Sequence, residues 1–277
     1  MKYDLWAPKR RIETRYQKAL IEMTQFMEEA IKGLTDPFEI TARLRSLVKN
    51  MAFQRYAESA AMKMVTHLFT DAGRTWRTAA RVNSQGRTFY EALRKEMERS
   101  VGGAVGAQIQ RNAGIIRSLP FDIAKQVTDF IGEEALKGRR ASLIAADIQE
   151  RFPRVSENKA KLIARTEVSK TSTALTQARA ENIGANWYQW RTSEDARVRD
   201  SHRIMEGVLI NWADPPSPER LDGQKNPPSP YHAGEIYNCR CYPEPVISLD
   251  YVKFPHKVYH NGAIIWVTRS QFQEMGG

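Results

Sequence analysis

The sequence predicts an α+β protein: an extended, mainly α-helical N-terminal part, a small α+β domain after it, and a C-terminal β-hairpin. Three observations carry that expectation. Up to about residue 155, apolar residues recur at three- and four-residue steps, the period of an amphipathic helix. Beyond Gly184 the code changes to short alternating runs rich in tryptophan and tyrosine, set between prolines and glycines, which is how strands and turns read. Near the C-terminus, Asn261-Gly262 sits between two apolar runs, a strong short-range signal for a two-residue hairpin.

The elements follow in order. Arg11 to Ile31 is an amphipathic helix, with Ile12, Tyr16, Leu20, Met23, Met27 and Ile31 on one stripe and Gly33 closing it. Asp36-Pro-Phe-Glu39 is a helix start, with an N-cap side chain, proline in the first turn and glutamate three on; one long helix is expected from there to about Phe69. A further helix spans Arg74 to Arg99, weakened near Asn83-Ser-Gln-Gly86. Gly102-Gly103 is expected to break the chain before the small-residue stretch Ala104 to Ile116. Pro120 opens a helix that ends near Gly138, and Arg139 to Phe152 forms a short one closed by Pro153. Ser156 begins the next, which runs to about Gly184; its Ser169, Thr171, Ser172, Thr173, Ala174 and Ala178 let a neighbour approach closely. Strands follow at Asn186 to Arg191 and Gly207 to Trp212, then a proline-rich loop from Asp214 to Pro230, and the hairpin Tyr259 to Val267. The expected domain limits are 1–155 for a helical arm, 156–250 for the α+β domain and 251–277 for the hairpin tail.

The most informative stretch is His232-Ala-Gly-Glu-Ile-Tyr-Asn-Cys-Arg-Cys241, which holds the only two cysteines of the chain. Read as a strand between Tyr237 and Tyr242, it points the sulfurs of Cys239 and Cys241 to the same face, a chelating arrangement. A disulfide across one residue of strand is disfavoured by the separation of the α carbons, so two free thiols are expected. Upstream, Ser193 to Gly207 reads as a short helix with Asp195, Arg199, His202 and Glu206 on one stripe. A solvated face explains that stripe as readily as a site does, since an exposed helical ion pair contributes only ~0.3–0.5 kcal/mol.

Composition sets separate bounds. The chain of 277 residues has room for two domains, or for one domain with a long helical arm. Lys and Arg total 42 against 32 Asp and Glu, and the net charge of +10 favours a polyanionic partner. No run approaches the ~20 apolar residues of a membrane span, and the N-terminus lacks the layout of a signal peptide. With two cysteines, the chain suits a reducing compartment, and the cytoplasm is the expected place of synthesis.

Taken together, Ala164-Arg-Thr-Glu-Val-Ser169, Trp187 to Trp190, Asp195-x-x-x-Arg199-x-x-His202 with Gly207, and Ala233-Gly-Glu-x-x-Asn-Cys-Arg-Cys241 resemble the head-morphogenesis domain of phage Mu F-like minor head proteins. The likeness covers roughly Ser156 to Val246 and rests on order, spacing and the terminal Asn-Cys-Arg-Cys. It implies a low-copy virion component of a tailed phage, inside the capsid near the portal, which contacts the portal or neighbouring head proteins and packaged double-stranded DNA. Head assembly or DNA delivery is the implied role, with no established catalytic reaction.

Several residues are candidates for a site. Arg165 and Glu167 are expected to form a buried polar cluster with Asp195, Arg199, His202 and Asn238. Zinc is a candidate cofactor, held by His202, Cys239 and Cys241 with His232 as a further ligand; the alternative is that the thiols are small buried hydrophobes. A metal-dependent hydrolase or nuclease, using His202 with Glu206, Glu235 or Asp195, is the competing functional class. No catalytic residue is assigned: the deaminase signature is absent, and Ser201 and His202 diverge on a helix. Arg74, Arg77, Arg81 and Arg87 lie in a stretch without acids, which suits phosphate contacts with little base reading and suits a solvated face equally.

Overall fold

The computed structural model describes residues 6–81, 86–98 and 100–277. Helices dominate the first two thirds: α1 (Arg10–Ile31), α2 (Pro37–Leu47), α3 (Met51–Arg81), α4 (Gly86–Arg94), α5 (Ser100–Leu136) and α6 (Ala141–Asn182). A mixed sheet follows, formed by β1 (Trp187–Arg191), β2 (Leu209–Asn211), β3 (Tyr242–Pro245), β4 (His256–His260) and β5 (Ala263–Val267). Three short helices accompany it: α7 (Asp200–Arg203), α8 (Pro218–Leu221) and α9 (Arg269–Glu274). The class is α+β, as expected. Among the described residues, no helix is long and apolar enough to cross a membrane.

Compact units do not follow the expected limits at 155 and 250. One comprises the described residues of Met1–Lys9, Thr66–Gly106 and Arg165–Gly277; the other comprises Arg10–Val65 and Ala107–Ala164. The chain therefore passes between units inside α3, α5 and α6, where nothing in the local hydrophobic period marks a boundary.

The second unit is wholly helical. On α1 the expected stripe, Ile12, Tyr16, Leu20, Met23, Met27 and Ile31, is buried, as are Ile40, Leu44 and Leu47 of α2. The apolar faces of α1 and α2 are thus covered within the unit, whereas Met51 and Met62 of α3 are exposed. Asn50 splits the expected 36–69 helix by accepting the Phe53 backbone N–H on its side chain, the work of an N-cap.

Three other expected breaks are absent. Gly102 and Gly103 lie inside α5. A Cβ at Gly102 would sit 2.2 Å from the Met97 carbonyl oxygen, so glycine there permits a close turn and does not end the helix. Pro120 and Pro153 lie within α5 and α6. Each forfeits one helical hydrogen bond, but Ile116, Leu119 and Ile123 around the first, and Ile148, Phe152 and Ala160 around the second, are buried. Burial of the isoleucine, leucine and phenylalanine side chains is worth about 1.5–3 kcal/mol each, enough to carry the helix through.

In the first unit the strand order is β3-β1-β2-β4-β5, antiparallel throughout except for the β2–β4 pair. The expected hairpin is β4–β5, turning on Asn261 (φ 49°) and Gly262 (φ 81°), both in the left-handed region a two-residue turn of this kind demands. Trp76, Ala80 and Leu93 from the helical stretch join Tyr188, Trp190, Met205, Ile210, Trp212 and both cysteines in one apolar core. Within it Arg179 and Glu96 form a buried bidentate ion pair, 2.8 and 3.1 Å, and the guanidinium also donates to the Phe69 carbonyl and lies 4.4 Å from the Phe69 ring centroid.

Candidate functional site

All the residues of the site belong to the first unit. The C-terminal half of α6 offers Thr166, Ser169 and Thr173, and the segment from Tyr231 to Cys241 lies against that hydroxyl face. Thr173 donates to the Ala233 carbonyl (2.6 Å), and Thr166 accepts from the Asn238 N–H (3.0 Å). Gly234, at φ 88°, fits because it lacks a side chain: an added Cβ would be 2.7 Å from the Thr173 hydroxyl and 2.8 Å from the Cys241 carbonyl oxygen. The small-residue face of α6 thus serves the close approach expected of it.

Two local expectations are corrected here. Cys239 and Cys241 are not in a strand, since Asn238 takes a positive φ of 56° and β3 begins only at Tyr242. The sulfurs converge by a turn in which the Cys241 N–H donates to Cys239 Sγ (3.3 Å), and both thiols are free and buried. Likewise Ser193 to Gly207 is not one helix: Glu194 sits at φ 52° and only Asp200–Arg203 is helical. The intended stripe still converges on the cysteine segment, by way of loops. Asp195 accepts from Arg240 at 2.8 and 2.9 Å, and Arg199 donates to the Tyr237 carbonyl (3.0 Å) with its guanidinium 5.1 Å from the Tyr237 ring centroid. Arg165 donates to the Asn238 side chain (3.0 Å), and Glu167 is buried. Glu206 belongs to a different contact, accepting from the Thr192 N–H and hydroxyl, both 2.7 Å, and from Arg191. Burial opposes ionisation of Asp195, but the Arg197 N–H and the charge of Arg240 outweigh it and hold the carboxyl below the ordinary aspartate range.

At the centre, His202 Nδ1 lies 3.3 Å from Cys241 Sγ and 3.5 Å from Cys239 Sγ. Its other nitrogen, Nε2, is 2.8 Å from the Tyr231 hydroxyl, which donates to Glu219 at 2.7 and 2.8 Å. The Tyr231 proton is committed to the carboxylate, so the hydroxyl oxygen accepts from Nε2–H, and Nδ1 is left bare toward the two sulfurs. All three side chains of the His-Cys-Cys group are buried, with 2–4% of their surface exposed. Hydrogen bonding from Cys241 outweighs burial and pulls the Cys239 thiol down to about 4, and the same contact pushes Cys241 up. Trp190 packs edge-on against the imidazole at 5.6 Å.

His202, Cys239 and Cys241 are therefore brought together as a group that could hold a metal, their ligand atoms all within 4.8 Å of one another. His232 is not among them. Its Nδ1 is 3.2 Å from the Tyr188 hydroxyl and its ring packs against Trp212 at 5.2 Å, in apolar surroundings whose desolvation lowers its pKa. Arg74, Arg77 and Arg81 are exposed on α3; the side chain of Arg87 lies outside the described residues. Sequence reasoning missed Glu219 and Tyr231, although Ser217-Pro218-Glu219 is a helix-start signal inside what read as a plain proline-rich loop. It also missed the Arg179–Glu96 pair, which no local spacing announces.

Residues 125–243 match the family described as Phage Mu protein F like protein. The matched segment begins in α5, upstream of the Ser156 at which the likeness in the sequence starts, and ends in β3 just past the cysteines. The chain thus carries a Mu F-like segment. A protein of Haemophilus influenzae (strain Rd), described as an uncharacterized protein, is 32% identical over 143 residues. That alignment covers 52% of this chain and 29% of the relative, so the chain spans under a third of the relative's length. No solved structure matches the chain.

Proposed function

We propose that the protein is a minor head protein of a tailed phage that acts in head assembly, in DNA delivery, or in both, from a position inside the capsid near the portal. The observation that carries this reading is the match of residues 125–243 to the Mu F-like family, whose limits take in the whole His202, Cys239 and Cys241 assembly. A structural role fits the groups suited to general-base work, since each is already engaged. Glu206 is held by Thr192 and Arg191, Asp195 by Arg240, and Glu235 accepts the His232 N–H at 2.7 Å. The net charge of +10 and the exposed Arg74, Arg77 and Arg81 support non-specific contact with packaged double-stranded DNA. Portal or neighbouring head proteins are assigned to the helical unit, which keeps Phe26, Met51, Tyr56 and Met62 exposed, a kind of surface that adapts to irregular partners.

The experiment is to purify virions of the phage that encodes the chain, quantify the chain by mass spectrometry, and count DNA-filled infectious particles with and without its gene. Low-copy incorporation and a loss of infectious particles on deletion are expected. Absence of the chain from purified heads, with infectivity unchanged by deletion, overturns the reading.

A further inference from the structure

We infer that His202, Cys239 and Cys241 bind one zinc ion, which fastens the short helix α7 to the Tyr231–Cys241 segment as a structural clamp. The inference rests on this geometry alone and stands apart from the head-protein reading.

Four features of the group converge. First, the spacing fits the ion. Tetrahedral zinc, with bonds of about 2.0–2.1 Å to nitrogen and 2.3 Å to sulfur, sets its nitrogen and sulfur ligands about 3.6 Å apart. The two Nδ1–Sγ separations of 3.3 and 3.5 Å are already close to that, and all three ligand atoms lie within 4.8 Å of one another. Second, the tautomer is the right one. The Nε2–H, Tyr231 hydroxyl and Glu219 carboxylate form a directed chain that leaves the Nδ1 lone pair facing the sulfurs. A carboxylate-backed imidazole of this kind is what orients metal-bound histidine and raises its basicity, here with a tyrosine hydroxyl interposed. Third, the Cys241 N–H already donates to Cys239 Sγ, a bond that steadies a thiolate. Fourth, two soft sulfurs and one imidazole select zinc over magnesium, calcium or manganese, which prefer oxygen.

With zinc, both cysteines bind as thiolates, their protons pass to solvent, and the ion bonds to all three donors. Among the described residues, no fourth His, Cys, Asp or Glu joins the group. A water would complete the tetrahedron. With all three ligand side chains buried, that water is shielded from any substrate as large as a nucleic acid, so the site is structural and not hydrolytic.

The test uses the full chain, purified under reducing conditions and analysed for metals. One zinc per chain is expected, removed by chelation together with a fall in melting temperature. Cobalt(II) put in its place should show thiolate-to-cobalt charge transfer and the intense visible bands of tetrahedral coordination. Because Cys239→Ser, Cys241→Ser and His202→Gln each remove a ligand and could prevent folding, Tyr231→Phe is the fold-sparing variant. It keeps all three donors but breaks the chain to Glu219, and should weaken zinc binding about 10–100-fold. A folded wild-type chain that takes up neither zinc nor cobalt overturns the proposal. So does stoichiometric loading with a different ion in competition with zinc, or a Tyr231→Phe affinity equal to that of the wild type.

Discussion

Gly234 shows how much one missing side chain can decide. It must hold φ near 88° and let the Thr173 hydroxyl, the Ser169 hydroxyl and the Cys241 carbonyl oxygen come within the space of a methyl group. Gly234→Ala should therefore destabilise the protein by about 2–5 kcal/mol, the sum of left-handed strain on a non-glycine residue and overpacking. Thermal melting checks this; a change under about 1 kcal/mol would mean that the segment is free to move away from α6. At this scale the sequence was legible where chemistry is written in residue type. His202, Cys239 and Cys241 could be picked out because two thiols and an imidazole are rare neighbours, and they do meet. His232 was as conspicuous a histidine, yet its environment is Tyr188 and Trp212. Glu219 and Tyr231 were invisible because their role depends on which way a loop of prolines turns, and no local period records that. Asp195 and Arg199 reached the cysteine segment through hydrogen bonds from Arg240 and to Tyr237, although the helix invoked to align them does not form.

Among the elements, what was readable was the hydrophobic period, and what was not was how tertiary packing overrides local stop signals. The hairpin at Asn261-Gly262 could be read because the turn residues and the flanking strands agree. Gly102, Pro120 and Pro153 argued locally for breaks, but buried side chains on both sides stabilise the helices through them. Asn50 went the other way: a polar cap within an apolar pattern ended one helix and began another. The basic helix α3 carries the prediction at this scale. Its Arg74, Arg77 and Arg81 recur at three- and four-residue steps and are exposed, so a phosphate backbone can lie along them. Duplex DNA should bind without sequence preference. Replacing the three with glutamine should lower the slope of log affinity against log salt by about 0.9 for each phosphate left unneutralised, so by up to about 2.7 in all. Fluorescence anisotropy at several salt concentrations measures it. A slope unchanged in the triple variant would remove α3 from the DNA-binding surface.

For the whole molecule, reading along the chain suggested consecutive parts, a helical arm to 155, an α+β domain to 250 and a hairpin tail after it. Composition does change near there, but compactness is decided by which side chains bury one another. Trp76, Ala80 and Leu93 pack into the same core as Tyr188, Trp190 and Trp212, and Glu96 is the buried partner of Arg179. The ion pair joins residues 83 positions apart and the core residues are farther apart still, separations at which no periodicity in a single sequence has anything to report. A cut at the composition boundary should therefore fail as a domain dissection. The fragment 156–277 would keep every strand and the His202, Cys239 and Cys241 group, and would be missing one wall of its core. Arg179 would be deprived of both its carboxylate and the Phe69 carbonyl, which costs about 3–5 kcal/mol for a buried charge. Exposure of the apolar surface that Trp76, Ala80 and Leu93 cover adds to this at about 25 cal/mol per Å2. Against a typical total stability of about 5–15 kcal/mol, the sum is enough to unfold the fragment. It should lack the near-ultraviolet dichroism of packed tryptophans and be cleaved rapidly by protease, whereas a version in which residues 66–106 are supplied on the same chain should recover both. If 156–277 alone melts cooperatively with a native near-ultraviolet spectrum, the Mu F-like sheet region is self-sufficient, and the Arg179–Glu96 pair is an accessory to its fold.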